Sequence, residues 1–233
     1  TNIKITTKDM VLCGIFAAII CICSVINIPI GVIPVTLAPF GIMLACSTLG
    51  VRKGMLSTIV YILIGAVGIP VFAGFKGGIS VLTGPTGGYI IGYVFLAFAS
   101  GLGAREFKLG KLANIIISIL CNIFGLALCY LFGTIQFLFI TKADLAYAMS
   151  VCVIPFIGFD IIKAVCASIP AYAIRKAVFA DKKKKIELNI IPSKGERLGG
   201  YFIIFRIDKR AFNRIYISFL THVKSCSTQQ VTK

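Results

Sequence analysis

The segment Ile154-Pro155-Phe156-Ile157-Gly158-Phe159-Asp160-Ile161-Ile162-Lys163-Ala164-Val165-Cys166-Ala167 lies inside an apolar run from Val151 to Ile174. Asp160 and Lys163 are the only charges in that run. A spanning helix needs about 20 predominantly apolar residues, and this run supplies them. A charge held inside a bilayer is costly, so an acid and a base there point to a functional site. Their i, i+3 spacing puts both on one helix face. One is a carboxylate that only accepts hydrogen bonds, the other an ammonium with three donors. A small polar molecule entering a dry site would meet a matched acceptor and donor. The competing reading is a structural ion pair that ties helices together.

The surrounding chain reads as polytopic. Of its 233 residues 58% are hydrophobic, and the mean hydropathy is +0.97, a value that belongs to membrane proteins and not to soluble domains of this size. Charge is absent from Met10 to Val51, Gly54 to Phe75, Gly77 to Ala104 and Leu112 to Thr141. The first interval holds two spans, with a turn over Ile28 to Pro34 marked by Pro29, Gly31 and Pro34. The expected architecture is an all-α membrane protein of six transmembrane helices, near Met10–Ile26, Val35–Gly50, Met55–Val71, Gly88–Gly103, Leu112–Leu131 and Val151–Ala173. The first is read as a retained helix, because no small-residue cleavage site follows it.

Basic residues orient this bundle. Lys4 and Lys8, Arg52 and Lys53, Arg105, Lys108 and Lys111, then Arg175, Lys176 and Lys182 to Lys185 all fall on one side. The other side carries Lys76 and Lys142. The positive-inside rule then makes both termini cytoplasmic and the localisation the cell membrane. The net charge of +16 is largely this topology signal. Because the clusters flank apolar spans, no nucleic acid is expected as a partner.

Several chemistries are disfavoured. Eight of the nine cysteines lie in apolar segments, no Cys-x-x-Cys occurs and His222 is the only histidine, so no metal site is expected. There is no Gly-x-x-x-x-Gly-Lys-Ser/Thr, His-Glu-x-x-His or Gly-x-Ser-x-Gly. Only Asp9, Glu106, Asp144 and Asp160 precede the tail as carboxylates. Enzyme activity and an ATPase motor of its own are therefore not expected, nor is a cofactor.

Gly68 to Tyr89 holds seven glycines and two prolines in 22 residues, yet also Phe72, Phe75, Val81 and Leu82. That composition is no plain helix, and a solvated linker would be more polar. The expectation is a glycine-rich re-entrant loop between helices three and four, folded over the mouth of the bundle. Irregular backbone at membrane depth is tolerated where it lines a cavity, and its free N–H groups can receive a carboxylate or carbonyl. Lys76 is its only charge. On helix one, Gly14 and Ala18 form a small-x-x-x-small pair suited to close helix approach, inside the monomer or with a partner. Asn122 and Tyr130 are polar groups at depth that face the pocket or bridge helices.

Residues 1–180 are read as the six-helix substrate-binding domain, and residues 181–233 as a basic cytoplasmic tail. The tail carries 12 of the 24 basic residues. Arg206, Lys209, Arg210 and Arg214 interleave there with Phe212, Ile215, Tyr216 and Phe219. It is either a peripheral amphipathic segment on the lipid bilayer or a disordered extension.

From about Thr7 to Val178 the chain resembles the BioY family, the biotin-binding S components of energy-coupling factor (ECF) transporters. The most specific matches are Gly68-Ile69-Pro70-Val71-Phe72-Ala73-Gly74 and Gly84-Pro85-Thr86-Gly87-Gly88-Tyr89. Ile33-Pro34-Val35-Thr36-Leu37 and Phe159-Asp160-Ile161-Ile162-Lys163 support them. The sequence departs from the family at Ala38, where an amide-bearing residue is frequent, and at Gly14 and Ala18, which replace paired alanines. The resemblance implies a membrane subunit that captures biotin outside and delivers it through a T-type scaffold driven by two ATPase subunits.

Biotin suits the residues physically. Asp160 can accept from the ureido N–H groups while Lys163 donates to the ureido carbonyl. An unpaired ligand group in a dry pocket would cost about 1–3 kcal/mol. Phe72, Phe75 and Tyr89 are the expected apolar walls, and Gly84, Thr86 and Gly87 the loop positions nearest the ligand. The carboxylate goes to loop N–H groups, to Lys76 or to Lys163, and Gly14 and Ala18 are the expected partner interface. Two rival classes remain: a self-sufficient secondary transporter acting as a homo-oligomer, and a membrane-embedded enzyme.

Overall fold

Glycine and proline punctuate the apolar runs, and the helices take their bounds from that punctuation. The computed structural model describes residues 6–28, 33–105 and 110–190, with side chains as far as residue 178. Helix α1, Thr7–Val25, starts at a capping box in which Thr6 and Asp9 satisfy each other's backbone N–H groups. It leads into strand β1, Asn27–Ile28, which pairs antiparallel with β2, Val35–Thr36. Helix α2, Ala38–Leu49, has proline in its first turn. Gly50, at φ 82°, is the single residue between α2 and α3, Val51–Ala66; a side chain would be strained there. A five-residue α4, Ile79–Thr83, precedes α5, Gly87–Leu102, and α6, Lys111–Thr141. Helices α7, Leu145–Cys152, and α8, Ile154–Ile190, are the last of the described elements.

The helices alternate in direction. Lys53 at the start of α3 pairs with Asp9 at the start of α1. A Cβ on Gly101 would lie 2.5 Å from the Val51 backbone, and one on Gly103 would lie 2.9 Å from Ser118. The starts of α1, α3 and α6 and the end of α5 therefore share one end of the molecule, and with them Lys8, Arg52, Lys53 and Lys111. Helix α8 runs towards this basic end, carrying Arg175 and Lys176. The β1–β2 hairpin, α4 and α7 lie at the opposite, hairpin end.

The pair α5–α6 packs most intimately. A Cβ on Gly92 would meet Cys129 at 2.9 Å, and one on Gly133 the Tyr89 ring at 2.5 Å. Small residues let membrane helices approach in this way. The main core gathers Phe16 and Ile20 of α1, Ile42 and Met43 of α2, Tyr61 of α3, Leu96 of α5, and Ala164 and Ala167 of α8.

Thr7–Val25, Lys111–Thr141 and Leu145–Val178 are long and apolar enough to cross a membrane, so the chain is an all-α membrane protein. Helices α2 and α5 are apolar but shorter. Their 12 and 16 residues extend about 18 and 24 Å, less than the roughly 30 Å hydrocarbon core. Several bounds differ from the sequence expectation, among them those of α3, which starts four residues before Met55 and ends five before Val71. Helix α6 runs ten residues beyond Leu131, because no proline occurs before the left-handed Lys142 (φ 51°) and Gly133 is held inside the helix against the Tyr89 ring. The last expected span is split by Val153, whose φ of −124° ends α7. Helix α8 then continues past Ala173 to Ile190, with Pro170 accommodated inside it. The turn residues Pro29 and Gly31, with Glu106 and Lys108, lie outside the described residues, as does the chain from 191 onwards. Two compact units are delimited, 1–186 and 187–233; of the second, only the helical residues 187–190 are described.

Asn122 bridges three helices. Its amide donates to Ser168 of α8 at 3.0 Å and its carbonyl accepts from Ser47 of α2 at 3.3 Å. Ser118 extends the chain to Ser47 at 3.2 Å. Interhelical hydrogen bonds in membranes average about 0.6 kcal/mol and reach about 1.7. Asn122→Leu is expected to lower stability by about 1–3 kcal/mol, read as a lowered thermal midpoint in detergent. An unchanged midpoint would show that the bridge adds nothing.

Candidate ligand-binding site

The apolar α8 carries the two groups that water would otherwise solvate. Asp160 and Lys163 are both buried, so each must find its partners inside the protein. Lys163 Nζ donates to Asp160 Oδ1 at 2.7 Å and to the Thr36 carbonyl on β2 at 2.8 Å. The Tyr130 hydroxyl of α6 donates to Asp160 Oδ2 at 2.6 Å. The pair thus joins the hairpin, α6 and α8. Among the described partners, two of three ammonium protons are used, and each carboxylate oxygen keeps acceptor capacity.

The pair lines a cavity enclosing about 870 Å³ of empty space, its mouth included. Tyr61, Phe72, Tyr89, Tyr93, Tyr130 and Phe156 give it aromatic walls. Phe72 stands edge-on to Tyr61, with centroids 5.7 Å apart at 88°. The Phe72 ring rests on Gly65, where a Cβ would come within 2.2 Å of it. Tyr61 Oη is 2.6 Å from Ser24 Oγ, which also lines the cavity. The Phe72 N–H donates to the Lys76 carbonyl at 2.9 Å, closing a tight loop that sets Lys76, itself exposed, at the cavity mouth. Tyr89 donates to the Cys152 carbonyl at 3.0 Å, which ties α5 to α7.

Asp160, Lys163, Phe72, Lys76, Thr86 and Tyr89 come together around this cavity. Phe75, Gly84 and Gly87, expected beside them, are not among its lining residues. Phe75 has φ 57°, a left-handed conformation that is unusual for a bulky residue, and it is 71% exposed. Gly84 instead offers its carbonyl to Gln136 Nε2 at 2.9 Å, beside Leu82 at 2.8 Å. Gly87 is buried in the corner between α4 and α5, where a Cβ would meet the Leu82 carbonyl at 1.8 Å. Tyr130 faces the cavity, whereas Asn122 bridges helices away from it. Gly14 and Ala18 are exposed, and no heavy atom lies within 4 Å of a Cβ built on Gly14. That face is free of packing within the described fold.

Ser24, Tyr61, Tyr93 and Phe156 also line the cavity, and none was singled out from the sequence. The hydroxyls of Ser24, Tyr61 and Tyr93 lie inside apolar helices and need partners, which is a legible signal. The Thr36 carbonyl left none, since every residue has one. Among the described residues, no group of three or more His, Cys, Asp or Glu could hold a metal.

In this helical membrane protein a buried acid–base pair faces an aromatic-walled cavity, an arrangement that can meet both the polar and the apolar parts of a small molecule. The chain belongs to the BioY family, whose model matches residues 1–180. It is 38% identical over 169 residues to the biotin transporter BioY of Thermotoga maritima, covering 72% of this chain and 96% of that protein. It is 34% identical over 177 residues to the biotin transporter BioY2 of Lactococcus lactis, covering 76% and 94%. A probable biotin transporter BioY of Pyrococcus horikoshii is 39% identical over 164 residues, covering 70% and 94%. The fold is similar to the crystal structure of the S-component for biotin from an ECF-type ABC transporter. The TM-score is 0.64 at 28% identity, over 72% of this chain and 91% of that one.

Proposed function

We propose that this chain is the biotin-capturing S component of an ECF transporter. It would take biotin from outside the cell and pass it on through a T-type membrane subunit and two ATPase subunits. The observation that carries this reading is the Asp160–Lys163 pair, buried at the wall of an aromatic cavity in a BioY-family chain. Asp160 accepts from the ureido N–H groups with its remaining lone pairs, and Lys163 turns its third proton to the ureido carbonyl. Phe72, Tyr89 and the other aromatic walls take the thiophane ring and valeryl chain. Thr86 and Lys76 lie on the cavity's loop side; Lys76, at the mouth, is the nearest cation for a carboxylate that stays close to solvent.

Six helices, α1, α2, α3, α5, α6 and α8, cross the bilayer in this reading, and α4 and α7 cap the outer side. The basic end is cytoplasmic by the positive-inside rule, and so are both termini. The shortness of α2 and α5 is met by tilt of their neighbours and by local thinning of the bilayer. The exposed Gly14–Ala18 face is the docking surface for the membrane scaffold. The transporter names of the relatives support a non-catalytic role.

Purified in detergent without ATP, the chain is expected to release heat on titration with biotin and none with thiamine or riboflavin. No heat with biotin, or equal heats for all three vitamins, would overturn the assignment.

A further inference from the structure

A second cleft lies at the basic end, between the start of α6 and the middle of α8, and it shares no lining residue with the first. Lys111 of α6 and Tyr172, Ala173, Lys176 and Ala177 of α8 line it. On α8, Tyr172 and Lys176 stand one turn apart on one face, and Ala173 and Ala177 repeat that spacing beside them. The alanines leave the groove open where longer side chains would fill it. Lys111 and Lys176 are exposed, and Tyr172 is half-buried.

Two ammonium groups from different helices repel one another across such a cleft. Asp9, Asp144 and Asp160 do not neutralise them. Asp9 pairs with Lys53 and Asp160 with Lys163, while Asp144 lies beyond the far end of the 31-residue α6. An anion from outside the protein could meet both ammonium groups at once. The surroundings indicate its kind. Leu112 follows Lys111 and is 73% exposed, and Ile169, one turn before Ala173, is 55% exposed. Charge therefore gives way to apolar helix surface within one turn on both elements. A free phosphate would use only the lysines and the Tyr172 hydroxyl. A phospholipid would also lay its acyl chains along the apolar surfaces.

We propose that the Lys111–Tyr172–Lys176 cleft binds the phosphate of an anionic phospholipid. The lysines pair with the phosphate oxygens, the Tyr172 hydroxyl donates to one of them, and the acyl chains lie beside Leu112 and Ile169. Basic pockets between membrane helices are suited to such headgroups. This site is independent of what the first cavity binds.

Native mass spectrometry of the full chain, released from mixed phosphatidylglycerol and phosphatidylcholine micelles, tests it. Retained phosphatidylglycerol is expected to exceed phosphatidylcholine at least fivefold. The Lys111→Gln/Lys176→Gln variant is expected to lose that preference, and Tyr172→Phe to weaken it. A charge-matched control, Lys8→Gln/Arg52→Gln, changes exposed residues at the same end and is expected to keep it. Thermal melting of each variant checks that it is folded. Equal retention of both lipids by the folded wild type would overturn the proposal. So would equal loss in the control, which would indicate diffuse charge attraction. Displacement of phosphatidylglycerol by millimolar inorganic phosphate would also overturn it, in favour of a soluble-anion site.

Discussion

Biotin affinity is expected to fall at least tenfold, about 1.4 kcal/mol or more, in Asp160→Asn and again in Lys163→Ala. Each change acts twice. It removes a partner from the ligand, and it leaves the other member of the pair buried without its counter-charge, an imbalance that costs about 3–5 kcal/mol when a buried pair is broken. The surroundings separate the two variants. After Lys163→Ala, Asp160 keeps the Tyr130 hydroxyl; after Asp160→Asn, Lys163 keeps the Thr36 carbonyl. Tyr130→Phe removes one neutral donor to the carboxylate, so its effect on affinity is expected to be smaller than either. Titration calorimetry on the folded variants decides the matter. Wild-type affinity in both charge variants would make the pair a purely structural tie between helices.

Coupled uptake is expected to disappear in Gly14→Leu or Ala18→Leu while biotin binding by the isolated chain stays nearly unchanged. The same helix serves two directions. Phe16 and Ile20 of α1 are buried in the core, and Ser24 faces the cavity, whereas Gly14 and Ala18 are exposed. A Cβ on Gly14 has no heavy atom within 4 Å and Ala18 is exposed, so a leucine at either position is expected to leave the cavity unchanged. Helices in a membrane associate mainly through close packing, and a leucine would hold a partner helix away by its own bulk. Co-purification with the scaffold and ATPase subunits, paired with biotin titration, reads both halves. Loss of biotin binding with retention of the partners would place this face inside the site and end the docking assignment.

What the sequence made legible follows the physics of each residue. Asp160 and Lys163 stood out because a bilayer punishes charge, and that penalty is visible without any fold. The gathering of Lys8, Arg52, Lys53 and Lys111 at one end was legible for the same reason. The roles of the glycines were harder. Gly84 and Gly87 belong to a motif as specific as the one that holds Phe72, yet one presents a carbonyl to Gln136 and the other admits the Leu82 backbone. A glycine records that space or an unusual φ is needed, not what occupies the space. Phe75 could not be told from Phe72 by composition. The turn at Gly74 and Phe75 sends one ring against Tyr61 and leaves the other exposed. The short α7 was hidden because its apolar residues continue into those of α8 and only the backbone at Val153 divides them.

Because the acid and the base of the pair belong to one helix, α8 can enter the bilayer during biosynthesis with its charges already matched. Thr36 precedes Lys163 by 127 positions and Tyr130 precedes Asp160 by 30, so these outside partners depend on helices that must first find their places. An acid on one helix and a base on another would each be inserted alone, at about 2.5–3.5 kcal/mol per charge at the helix centre. The i, i+3 arrangement spares the last span that hurdle and leaves tertiary assembly to aim a pair that insertion has already made.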